Sequence, residues 1–123
     1  MMLIYIGAIF LTVWGIAHLF PTRSVVQGFG EISMDNQRII TMEWIIEGVS
    51  LVFIGAIVAL VTYVDQGSTV SKSIYAASFV MLNILSAISL LTGFKIRFLP
   101  FRLCPVIFTT SSILILVGGL FLK

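Results

Sequence analysis

Four long apolar runs alternate with short polar links along this chain, and within each run the apolar residues fill every side rather than one stripe. A helix wetted on one face repeats its apolar residues at intervals of three and four; one that is apolar all round is buried in protein or in lipid. The runs predict helices over residues 3–20, 39–64, 73–93 and 105–122. The first would be about 27 Å long, just enough to cross a bilayer, and the second about 39 Å, so it must tilt or begin outside the hydrocarbon of roughly 30 Å. The expected fold is therefore all-α: a single left-handed four-transmembrane-helix bundle over residues 1–123.

The links carry the stop and start signals. Pro21 disfavours helix at Phe20 and ends the first run. Gly28 and Gly30 permit bends in the link of residues 22–38, and Ser33 or Asp35 can cap the helix that follows. Asp65, Gln66, Gly67 and Ser68 form a short turn. Pro100 is expected to break any helix between residues 94 and 103, and Pro105 to open the fourth, where its missing N–H costs nothing. Small residues at helical spacing predict close helix approach: Gly7 and Gly15 in the first run, and Gly48, Gly55 and Ala59 in the second.

Composition sharpens the class. The chain of 123 residues is 59% hydrophobic and only 10% charged, with a mean hydropathy of +1.17; soluble domains average about 25% charged residues. A net charge of +2 without any basic run predicts no nucleic-acid partner. The one cysteine, Cys104, excludes an internal disulfide and a thiolate zinc cluster. The first run lacks a basic lead and a cleavage motif and is expected to remain as a span.

Charge sets an expected orientation. Arg23, Arg38, Lys95, Arg97 and Arg102 fall in the first and third links, against Lys72 and Lys123 on the other side. The positive-inside bias then predicts cytoplasmic first and third links and both termini outside, with a prokaryotic inner membrane as the expected location and the lipid bilayer as a partner.

Chemistry enters with the polar residues inside the runs. Glu43 and Glu47 are spaced i,i+4, so they share one face of the second helix. Carboxylates are costly in hydrocarbon and usually face a bundle interior or a water-filled cavity. Counting about 1.5 Å per residue from the predicted helix ends places His18, Glu43, Glu47, Asn83, Ser86, Ser89 and the run from Thr109 to Ser112 at similar depths on all four helices. The outer half is expected to be almost purely hydrocarbon. The reading is a cytoplasm-facing polar pocket with Trp14, His18, Glu43, Glu47, Asn83, Ser86, Thr109 and Ser112 as ligand-binding candidates and Cys104 at its mouth. Each also has a structural role open to it: solvated carboxylates, an interfacial histidine, tryptophan anchors, a packed cysteine, hydroxyls bonded to their own helix.

Glu43, Glu47 and His18 are the candidates for acid–base chemistry. No cofactor is expected. Two carboxylates and an imidazole leave a divalent metal as a lesser alternative, and a single histidine excludes a two-histidine haem. The leading expectation is binding of a small or amphiphilic molecule. The alternatives are a proton-coupled small-molecule transporter, which four short helices would serve as a homodimer, and a membrane-embedded acid–base enzyme acting on a hydrophobic substrate. No motif carries a resemblance to a known family.

Overall fold

The computed structural model describes residues 1–122 and is helical almost throughout. Lys123, one of the two cations counted on the sparser side, lies outside the described residues. The elements are α1 (Met2–Leu19), a short α2 (Thr22–Gln27), α3 (Met34–Asp65), α4 (Thr69–Ile88) running into a π-helical turn (Ser89–Gly93), and α5 (Leu99–Leu116) running into a second π-helical turn (Val117–Phe121). Four of these, taken as Met2–Leu19, Met34–Asp65, Thr69–Gly93 and Leu99–Phe121, are long and apolar enough to cross a bilayer.

Local chemistry explains the ends. The Thr22 hydroxyl donates to the Leu19 carbonyl at 2.6 Å, satisfying an orphan acceptor where Pro21 stops α1. The Ser33 hydroxyl accepts from the Asn36 N–H at 3.2 Å and caps α3. Ser68 does the same for α4, accepting from Ser71 at 3.1 Å, after a turn in which the Asp65 carboxylate accepts from the Gly67 N–H. Gly30, at φ 73°, supplies the left-handed backbone that turns α2 toward α3.

Three helix starts differ from the sequence reading, and α4 begins at Thr69, four residues before residue 73, directly after its Ser68 cap. At 32 residues α3 begins five residues before Ile39; it is about 48 Å long, so it cannot lie wholly within hydrocarbon if upright. The fourth long helix begins at Leu99, with Pro100 in its first turn and Pro105 inside it. Pro100 thus starts the helix rather than breaking it, because a first-turn N–H has no intrahelical partner to lose. Pro105 removes one interior bond, and the helix continues through it.

The long helices run alternately up and down in the ring order α1, α3, α4, α5, which brings residues 1 and 122 to the same end. The core is apolar: Ile4, Leu11, Leu51, Val58, Leu82, Phe108 and Ile115 are buried. The α1–α3 pair is the most extensive contact, made close by glycines. A Cβ on Gly15 would stand 2.7 Å from the Gly48 carbonyl oxygen, a backbone atom that cannot swing away. The outer surface is almost continuously apolar, with Phe53, Leu60, Val80 and Ile113 at least half exposed, as the hydrocarbon of a bilayer requires.

The end that holds the termini is not the hydrocarbon block expected of it. Fully buried Tyr75 reaches Thr62 at 2.8 Å. Thr62 donates to the Val58 carbonyl at 2.7 Å, so the tyrosine hydroxyl donates to Thr62. Ser71 donates to the Asp65 carbonyl, and Gln66 donates across to the Gly118 carbonyl at 3.2 Å. The helical runs conceal this knot because Thr, Tyr and Ser scarcely interrupt them. It forms where the α3–α4 turn meets the end of α5.

Candidate functional site

At the opposite end α3 and α4 part. They meet at their connecting turn and diverge from it, and the gap between them is a cavity of about 600 Å³. This volume is within the usual range for small-molecule sites. Ala17 and His18 of α1, Glu47, Ser50, Leu51 and Ile54 of α3, Met81, Leu85 and Ile88 of α4, and Phe101, Cys104 and Phe108 of α5 contribute walls. The π-helical turn adds Thr92 and Gly93, and the link that follows adds Ile96 and Phe98.

The cavity is graded from end to end. Near its outer end lie His18, Trp44, Glu47, Ser89 and Thr92, set among the apolar walls of Ile88, Ile96, Phe98 and Phe101. Toward the middle of the bundle the lining is Leu51, Ile54, Met81, Leu85 and Phe108. Glu47 and Ile54 are separated by about 10 Å along the helix axis, which sets the length of the gradient. Ile46, Met81 and Ile88 line the cavity and are also 50%, 46% and 52% exposed on the outer surface. Its α3–α4 flank is therefore an opening in the side of the bundle.

The polar end is built on an aromatic wall. The His18 ring stacks on Trp44 with centroids 3.9 Å apart and planes inclined by 16°. Trp44 Nε1 donates to the His18 carbonyl at 2.7 Å, locking α3 to the last turn of α1. Phe101 meets Trp44 edge-on at 5.5 Å, and Phe98 meets Phe101 at 5.8 Å. His18 Nε2 lies 3.5 Å from Glu47 Oε2. That separation is an ion-pair distance without hydrogen-bond geometry, and among the described residues Nε2 has no hydrogen-bond partner. Trp14 Nε1 is likewise buried and unpartnered. The His18 side chain is 7% exposed and that of Glu47 41% exposed, so the carboxylate is the group presented outward.

The sequence candidates divide into three sets. Trp14, His18, Glu47 and Cys104 line the cavity together. Glu43 does not line it and is exposed, because it lies one turn before Glu47 and α1 ends at Leu19, beside Gly48. Asn83, Ser86, Thr109 and Ser112 bond one another along the α4–α5 seam. Asn83 donates to Ser112 at 3.1 Å, Ser86 and Thr109 share a bond of 2.8 Å, and Ser86 also reaches the Pro105 carbonyl. These four bind helix to helix and do not line the cavity. Among the described residues no three of His, Cys, Asp and Glu converge on one point.

The sequence reading misses the walls Ile96, Phe98, Pro100 and Phe101 because it treats residues 94–103 as a connecting link, whereas α5 begins at Leu99. The signal was present in Leu99-Pro100, a proline in a first helical turn. Arg102 holds this segment, donating from Nε to the Ile96 carbonyl at 3.2 Å and lying 5.9 Å over the Phe94 ring. No family model, curated protein or solved structure matches the chain.

Proposed function

We propose that this protein is an integral membrane bundle that binds a small amphiphilic molecule in the cavity between α3 and α4. One observation carries the reading: the two ionisable side chains of the cavity, Glu47 and His18, stand at one end, the lining toward the other end is apolar, and the cavity is open sideways between Ile46, Met81 and Ile88. A ligand with a polar head and an apolar body matches that gradient. Its head would lie beside Glu47 and His18, and its body would extend past Leu51 and Leu85 toward Phe108. The side opening gives access from lipid without any need to pass through water.

The distribution of Arg and Lys supports the cavity end as the cytoplasmic one, with both termini on the far side. A reporter fused after Lys123 should then be active only outside the cytoplasm of a bacterial host; activity inside would reverse the orientation.

Binding is tested with the purified protein in lipid nanodiscs, using a terminally brominated dodecanol to quench Trp14 and Trp44. Saturable quenching is expected. Ser89→Phe, which fills the cavity, should abolish it, and Val80→Phe, on the outer surface, should not. Equal quenching in the two variants would mean that the probe reaches the tryptophans from the surrounding lipid and that the cavity is not the site.

A further inference from the structure

Resting on the binding reading above, the charge pattern of the cavity narrows the ligand class. We infer that the preferred ligand is a single-chain amphiphile with a positively charged amine head, seated against the Glu47 carboxylate.

Three independent features support this. Glu47 is the one acidic residue that lines the cavity, and no Lys or Arg side chain lines it among the described residues. Among the described residues its carboxylate has no hydrogen bond: its nearest cationic candidate, His18 Nε2, stands at 3.5 Å and remains unpartnered. A half-exposed carboxylate at an apolar-walled cavity is stabilised by a donor or a cation, and an ammonium head supplies both. Second, the neighbouring walls include Trp14, Trp44 and Phe101, and aromatic rings attract cations through their π systems. Third, the basic residues at this end are turned to other work or lie off the cavity. Arg102 is engaged with Ile96 and Phe94. Lys95 and Arg97 alternate with Ile96 and Phe98, and only the apolar pair lines the cavity.

An anionic head would have to leave Glu47 and move outward to those basic residues, withdrawing its chain from the apolar half. A neutral alcohol can accept or donate a hydrogen bond at Glu47 but cannot neutralise it. The expected order is therefore amine, then alcohol, then carboxylate.

Terminally brominated dodecylamine, dodecanol and dodecanoate are titrated at neutral pH into nanodiscs of the full chain. Quenching of the tryptophans is corrected for each probe's partition into protein-free discs. The amine should bind about tenfold more tightly than the alcohol. Glu47→Gln should erase that advantage while leaving alcohol binding in place, and Glu47→Asp should retain part of it. The wild-type series stands without either variant, so a folding defect in Glu47→Gln does not remove the test. Equal affinity for amine and alcohol, or tightest binding of dodecanoate, overturns the amine assignment and leaves the cavity reading standing. Failure of all three probes to quench saturably overturns both.

Discussion

The two ends of this bundle are made of similar residues and packed to opposite effect. At the end that holds the termini, Tyr75 is fully buried, its hydroxyl is bonded to Thr62, and Gly118 and Gly119 bring α5 against Ile4 and the tyrosine ring. At the other end Trp14 and His18 are also largely enclosed, yet Trp14 Nε1 and His18 Nε2 have no hydrogen-bond partner among the described residues, and a cavity of about 600 Å³ separates α3 from α4. Buried polar groups left unsatisfied in a packed protein are costly. A bundle that satisfies its tyrosine at one end and leaves an indole and an imidazole open at the other has a scaffold and a site, and the lesson is that polarity alone does not mark the site. The α4–α5 seam makes the same point, since Asn83, Ser86, Thr109 and Ser112 consume one another's hydrogen bonds.

The comparison can be broken most forcefully at Gly119. A Cβ there would collide with the buried Tyr75 ring, whereas one on Gly93, at the cavity end, would come no closer than 3.7 Å to Phe101. Gly119→Leu should destabilise by roughly 1–3 kcal/mol through overpacking. Gly93→Ala should be neutral or slightly stabilising, since alanine is the better helix former. Thermal unfolding in detergent measures both, and equal losses would erase the distinction between the ends.

A smaller effect is expected at Tyr75. Tyr75→Phe keeps the ring and removes one hydrogen bond, while Thr62 keeps its bond to Val58. The cost should be about 1 kcal/mol or less, the range of interhelical hydrogen bonds in membranes. A loss of several kcal/mol would show the knot to be more strongly coupled than its pairwise bonds.

The smallest effect is one of protection rather than stability. Hydrogen exchange in nanodiscs should be faster for the amides of residues 89–98, beside the cavity, than for those of residues 69–75 in the knot. A saturating amphiphile should slow the first group and leave the second unchanged. Uniform exchange along α4 and its π-helical turn would remove the mechanical difference.

Much of the fold was legible in the sequence because its cause is local. Runs that are apolar on every side leave no alternative to long helices, and the backbone hydrogen bonds those helices form are internal to each. The Ser33 cap, the turn at Asp65 and the glycine approach of α1 to α3 follow from the same short-range chemistry. The start of α5 is not legible from Pro105, which fits a first helical turn equally well, because Pro100 already fills that role.

What the tertiary structure decided is which polar residues meet. Glu43 and Glu47 are only about 40° apart around α3, and the sequence treats them alike. The end of α1 separates them, leaving Glu47 beside His18 and Glu43 uncovered. Matching depth likewise put Asn83, Ser86, Thr109 and Ser112 with His18, whereas helix rotation turned those four toward the α4–α5 seam. Depth is a property of one chain segment and can be counted. The direction a side chain faces across a bundle depends on the tilt and rotation of every neighbouring helix, which packing sets and local sequence does not.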